Sequence, residues 1–154
     1  MKPRKASLAL VLAGSLALSF AALAHADSTA RVDAASAPAG TDPRLKVALR
    51  NSVSQRLTYS GLVRSLEGYS LSPSLVQLRS YVEAGQKQPR LVCIVGLTLS
   101  SERGVLADVR GSVVTIGTSQ VSAIDAAAQA AVARLPAVLS QLQARDSSNR
   151  IAQR

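Results

Sequence analysis

The chain has 154 residues with 18 Lys and Arg against nine Asp and Glu, a formal charge of +9; 47% are hydrophobic and 18% charged. That length fits one domain, and that composition excludes a wholly disordered polymer. One histidine, one cysteine and no tryptophan already exclude most metal sites and most nucleophile–base pairs.

Lys2, Arg4 and Lys5 precede an apolar run from Leu8 to Leu23, and Ala24-His25-Ala26 supplies a small-x-small pattern before Asp27. This order predicts a secretory signal over residues 1–26. The competing reading is an uncleaved anchor, but sixteen residues diluted by Ala, Gly and Ser fall short of the roughly 20 that a spanning helix needs. No later segment is apolar enough to span, so no transmembrane segment is expected after cleavage, and the product is expected in the periplasm or outside the cell. Cleavage would remove His25 and three cations, leaving 15 cations, nine acids and a balance of +6.

Residues 27–42 are rich in Ala, Ser, Asp, Thr, Gly and Pro without apolar periodicity, which reads as a flexible leader. The domain is expected over 43–145. Thr41-Asp42-Pro43 offers a cap and a proline at a first helical position, and Leu45, Ala48, Leu49, Val53 and Leu57 recur at helical steps, predicting a helix to about Tyr59. Leu45 to Leu49 also fits a short strand; the start signal favours the helix. Gly61, Gly68 and the Ser70–Ser74 cluster around Pro73 read as a connecting turn region.

From Leu75 the period becomes two, with Val76, Leu78 and Val82 on one side and Leu75, Gln77, Arg79 and Tyr81 on the other. Residues 84–89 read as a turn of hairpin length. Arg90 to Leu99 reads as a central strand with Leu91, Cys93, Val95, Leu97 and Leu99 on one face. After a turn at 100–104, Val105 to Ile116 gives a third strand with Val105, Ala107, Val109 and Val113 inward. Val121 to about Arg145 returns to helical spacing, with an apolar stripe from Ile124 to Leu142 and a capping-box pattern at Ser122 and Asp125. Pro136 predicts a kink or break there. Residues 146–154 read as a disordered polar tail.

These elements predict an α+β fold of two layers, a three-stranded antiparallel meander packed on one face by an N-terminal and a C-terminal helix in the order α-β-β-β-α. The opposite face would show Gln77, Arg79, Tyr81, Val92, Ile94, Arg110, Ser112 and Val114, with an apolar strip in the central strand. Exposed apolar strips can mark partner sites, although scattered surface apolar residues are ordinary.

With no histidine after cleavage, neither a Ser-His-Asp nor a Cys-His arrangement can be built, so no catalytic residue is named. One cysteine and dispersed carboxylates supply no zinc site, and neither Gly111-Ser112-Val113-Val114 nor Gly117-Thr118-Ser119 matches a phosphate or dinucleotide motif. No cofactor or metal is expected. Cys93 has no partner in its chain; a buried thiol, an intermolecular disulfide and a reactive nucleophile are the three options, and its apolar run favours burial. Basic residues are scattered rather than clustered, and Tyr59, Tyr69 and Tyr81 are too few for a stacking platform, so specific nucleic-acid binding is not expected.

Gly68-Tyr69-Ser70-Leu71, Leu91-Val92-Cys93-Ile94-Val95, Ala107-Asp108-Val109-Arg110-Gly111-Ser112 and Ala126-Ala127-Ala128 to Leu135-Pro136 together resemble small exported proteins of unknown function from high-GC Gram-negative bacteria. The resemblance spans about residues 43–142, and the preponderance of arginine over lysine is in keeping with such a genome. It implies a bacterial envelope protein that is not an enzyme. The expected role is therefore a protein-interaction or accessory domain whose partner is another envelope protein or a second copy; the alternative is a weak, salt-sensitive binder of lipopolysaccharide or acidic polymer.

Overall fold

The computed structural model describes residues 30–152; the expected signal over 1–26 lies outside them. It is an α+β structure with one four-stranded mixed sheet. The elements run β1 (Arg31–Val32), α1 (Pro43–Tyr59), a 3-10 turn (Arg64–Leu66), β2 (Ser70–Tyr81), β3 (Arg90–Ser101), β4 (Gly104–Ile116), α2 (Gln120–Val132) and α3 (Leu135–Ala152). Strand order follows the chain, β1-β2-β3-β4. β2, β3 and β4 form the expected antiparallel meander, while β1 adds a parallel strand.

The first correction to the expected three strands is that the stretch read as a leader joins the sheet. Asp33 N–H donates to the Leu71 carbonyl at 2.9 Å, Ser36 N–H to the Pro73 carbonyl at 2.9 Å, and Leu75 N–H to the Ser36 carbonyl at 2.8 Å. Two paired residues carry no readable periodicity, so nothing in the sequence announces this strand.

The second correction concerns Ser70–Ser74, which is strand, not turn. Pro73 is tolerated because residues 71, 73 and 75 point their backbone polar groups toward β1, where pairing is sparse; its missing N–H leaves no gap in the ladder with β3. Its side chain is fully buried beside those of Leu71 and Leu75.

Helix α1 begins as expected: the Asp42 carboxylate accepts from Arg44 N–H at 2.8 Å, with Pro43 at the first helical position. It buries Leu49, Val53 and Leu57. Helix α2 is capped one turn earlier than expected. Ser119, not Ser122, holds the cap, accepting from Ser122 N–H. Asp125 instead bonds Arg56 of α1 at 2.5 Å, which clamps the two helices side by side and raises the Arg56 pKa, chiefly through that hydrogen bond.

Pro136 breaks the long helical pattern as expected. α2 ends at Val132 and α3 starts at Leu135, so the proline sits in a first turn, where its lost N–H has no intrahelical partner to miss. Helix α3 continues through Ala152, so residues 146–152, read as a disordered tail, are helical in the structure.

The core lies between the helices and one sheet face. Leu91, Cys93, Val95, Leu97 and Leu99 of β3 meet Ala123, Ile124, Ala127, Ala128 and Ala131 of α2, with Leu135 and Leu139 of α3 closing one side. The small stripe of α2 lets it approach β4 at Gly111. A Cβ there would overlap the Ala127 carbonyl oxygen and the Ala131 nitrogen, and would lie 2.9 Å from the Ala131 Cβ.

Candidate functional site

Two β-bulges decide which side chains reach the open face of the sheet. In β2 the register passes from Leu75 opposite Val95 to Gln77 opposite Ile94, leaving Val76 as an extra residue. A bulge of one residue reverses the alternation beyond it. Leu75 is therefore core, 3% exposed, whereas Val76 is 42% exposed, and Val82, expected inward, falls past the strand end at 62%. Leu78 keeps its expected inward position opposite Cys93. In β4 the same device at Leu106 shifts Val105 outward, to 71% exposure.

After these corrections the cross-strand rows of the open face can be read directly. Arg79, Val92 and Val114 form one row and Gln77, Ile94 and Ser112 the next. Tyr81, Arg90 and Ile116 close the hairpin end, and Arg110 lies opposite Gly96. All eight residues picked out by alternation, Gln77, Arg79, Tyr81, Val92, Ile94, Arg110, Ser112 and Val114, thus sit on one face, away from α1 and α2. Sequence reasoning missed three neighbours of that set. Val76 was hidden by the bulge, whereas Arg90 and Ile116 share parity with chosen positions and were within reach of the same argument.

The face is polarised along its length. At the end nearer β1, Ser72 Oγ donates to Asp33 Oδ2 at 2.9 Å, Ser70 and Ser100 hydroxyls meet at 2.8 Å, and Thr98 Oγ1 donates to Asp108 Oδ1 at 3.3 Å. Toward the hairpin, Val76, Ile94, Val92, Val114 and Ile116 form an apolar strip, bordered by the guanidiniums of Arg79, Arg90 and Arg110. Arg90 pairs with Glu83 at 3.0 Å and Arg110 with Asp108 at 3.5 Å. Among the described residues no ion pair involves Arg79.

Cys93 is fully buried on the other face, and desolvation pushes its thiol up to about 11. Such a thiol stays protonated and inert at neutral pH. A depression of about 470 Å³ between β1 and α1 is lined by Val32, Arg50, Leu57, Thr58 and Val63 among others. It assembles no nucleophile beside a base: the Thr58 hydroxyl there donates to the Ser54 carbonyl at 3.0 Å. Among the described residues no three His, Cys, Asp or Glu gather where a metal could bind, and no helix is long and apolar enough to cross a membrane.

No protein-family model matches the chain, and no curated protein matches it. Solved structures similar to it include a minor lipoprotein from Acinetobacter baumannii, at 12% identity and TM-score 0.45, covering 70% of this chain and 92% of that one. A Xanthomonas campestris protein of the DUF330 family is similar at 19% identity and TM-score 0.46, covering 78% and 88%. The PelC dodecamer from Paraburkholderia phytofirmans is similar at 17% identity and TM-score 0.45, covering 70% and 85%. At these scores the likeness transfers no residue role and no property to this chain.

Proposed function

We propose that this chain is a non-enzymatic interaction domain of the bacterial envelope, periplasmic or secreted, that binds another envelope protein through the open face of its sheet. The observation that carries this reading is the apolar strip of Val76, Ile94, Val92, Val114 and Ile116 on a face that no described element covers. Packing a partner there removes apolar surface from water at about 25 cal/mol per Å², while arginines at the border set orientation and favour a partner with acidic residues at its rim. The N-terminal basic and apolar pattern supports export, and contact over conversion is favoured because among the described residues no three His, Cys, Asp or Glu gather and the Thr58 hydroxyl in the depression beside α1 is held by the Ser54 carbonyl.

The test is cross-linking in intact cells followed by capture of the tagged chain. Wild type is expected to retain one discrete partner, Ile94→Lys to lose it, and Tyr59→Ser, on the helical layer at 81% exposure, to keep it. Capture unchanged in the Ile94 variant would refute the role of this face. Capture of polyanions alone, abolished by high salt, would transfer the function to anionic envelope ligands.

A further inference from the structure

Half of the outer edge of β4 is guarded and half is bare. The Arg110 carbonyl accepts from Arg134 Nη1 at 2.7 Å, outside the ladder, whereas Gly117 N–H donates to the Pro89 carbonyl at 2.8 Å, on the β3 side. Backbone groups alternate along a strand, so Ser112, Val114 and Ile116 point their N–H and C=O groups outward, and β4 is the last strand of the sheet. Asp108 and Arg110 protect the first half with charge, and Arg134 occupies a carbonyl there. The second half, Ser112-Val113-Val114-Thr115-Ile116, has no charge, proline or glycine. Val114 and Ile116 are 53% and 67% exposed. An uncharged, β-branched edge of this kind templates another strand.

We propose that a second copy of this chain docks on this edge, β4 against β4, antiparallel about a two-fold axis at Val114. Charge admits a second copy in this register, and the occupied Arg110 carbonyl disfavours centring on Ser112 or Arg110, each of which would need it. Centred on Val114, the pairing sets Ser112 opposite the partner's Ile116 and Arg110 opposite the partner's Thr118, so no like charges meet. Centred on Arg110, it would oppose two guanidiniums and need a carbonyl that Arg134 already holds. The chosen register also carries the row Arg79, Val92, Val114 straight into its symmetry mate, making one row across six strands, apolar over the middle four, with the Arg79 guanidiniums at its far ends. The inference deepens the contact role proposed above and rests on the same reading of the sheet as a contact surface.

Sedimentation equilibrium of the exported protein tests it. The wild type is expected at a mass of two chains, and Val114→Lys, with unchanged far-ultraviolet circular dichroism, at one. In a second arm, Val114→Cys places two thiols across a hydrogen-bonded pair with Cα atoms about 5.5 Å apart, within disulfide range. Mild oxidation should link it into covalent dimers, while Val105→Cys, on the same strand and 71% exposed, should stay single. A wild type that is monomeric at every concentration, a dimeric Val114→Lys, or equal cross-linking at both positions would overturn the proposal. A monomer that still captures a partner through Ile94 would leave the contact role standing without self-pairing. A dimer sensitive to Val114→Lys that captures nothing else would do the reverse.

Discussion

Gly111→Ala measures how tightly α2 is seated on the sheet. The added methyl meets the Ala127 carbonyl oxygen, the Ala131 backbone nitrogen and, at 2.9 Å, the Ala131 Cβ. Two of these three obstacles are helix backbone, which no rotamer change can move. Overpacking a core costs about 1–3 kcal/mol, and a backbone obstacle places this site near the upper end, about 3 kcal/mol. Replacing glycine in a strand returns about 0.5–1 kcal/mol of chain entropy, leaving a net loss of about 2 kcal/mol. At about 3–5 °C per kcal/mol for a domain of this size, the melting temperature should fall by about 8 °C in a thermal scan followed by circular dichroism. Gly96→Ala is the internal control. Its Cβ meets chiefly the Ser74 Oγ at 2.6 Å, a hydroxyl that can rotate away by giving up a long 3.4 Å bond to the Gly96 carbonyl, so its loss should stay under about 1 kcal/mol. Equal losses at both glycines, or a Gly111 variant within about 2 °C of wild type, would refute the close seating of α2 on β4.

Cys93 should resist thiol reagents in the folded protein and react fully once unfolded; rapid stoichiometric labelling of the native state would contradict its burial. Because burial raises its pKa from an ordinary 9.0 to about 11, the unfolded chain loses this proton first. The stabilising contribution is therefore complete below pH 9 and declines by about 1.4 kcal/mol per pH unit from there toward 11, which denaturant titrations of wild type against Cys93→Ala would show as a converging difference. Leu97→Ala, at 0% exposure on β3, should cost about 2–5 kcal/mol, whereas Val47→Ala, at 59% exposure on α1, should stay within about 0.5 kcal/mol; urea titration reads both. Pro136→Ala should change stability by less than about 0.5 kcal/mol, since a first-turn proline carries none of the roughly 3 kcal/mol cost of an interior one. A gain of that size would show that the proline strains the helix.

Elements with long, regular patterns were legible in the sequence. Helix α1, the inward residues of β3 and the break at Pro136 all follow from spacing, capping and proline chemistry. What escaped was whatever depends on pairing between distant segments. Val76 and Leu106 are ordinary residues that become bulges only because β3 fixes the register on either side, and each inverts the predicted face of a neighbour. Ser70–Ser74 carries turn chemistry in its composition, yet Leu71, Pro73 and Leu75 alternate inward, with Asp33 and Ser36, just past β1, bonded to the Leu71 and Pro73 carbonyls and to Leu75 N–H. Asp125 read locally as a cap, and its Arg56 partner lies 69 positions away. The open face was legible because most of its residues follow one alternation; Arg90 and Ile116 follow it too and were passed over, and only Val76 was hidden by the bulge.

The central claim is that the sheet face centred on Ile94 is where this protein meets its partner. A photo-activatable residue at position 94, compared in intact cells with the same residue at position 59, tests it most directly. The account predicts a discrete adduct from 94 and none from 59; adducts from 59 alone, or none from 94 under conditions where the partner is captured, would contradict it.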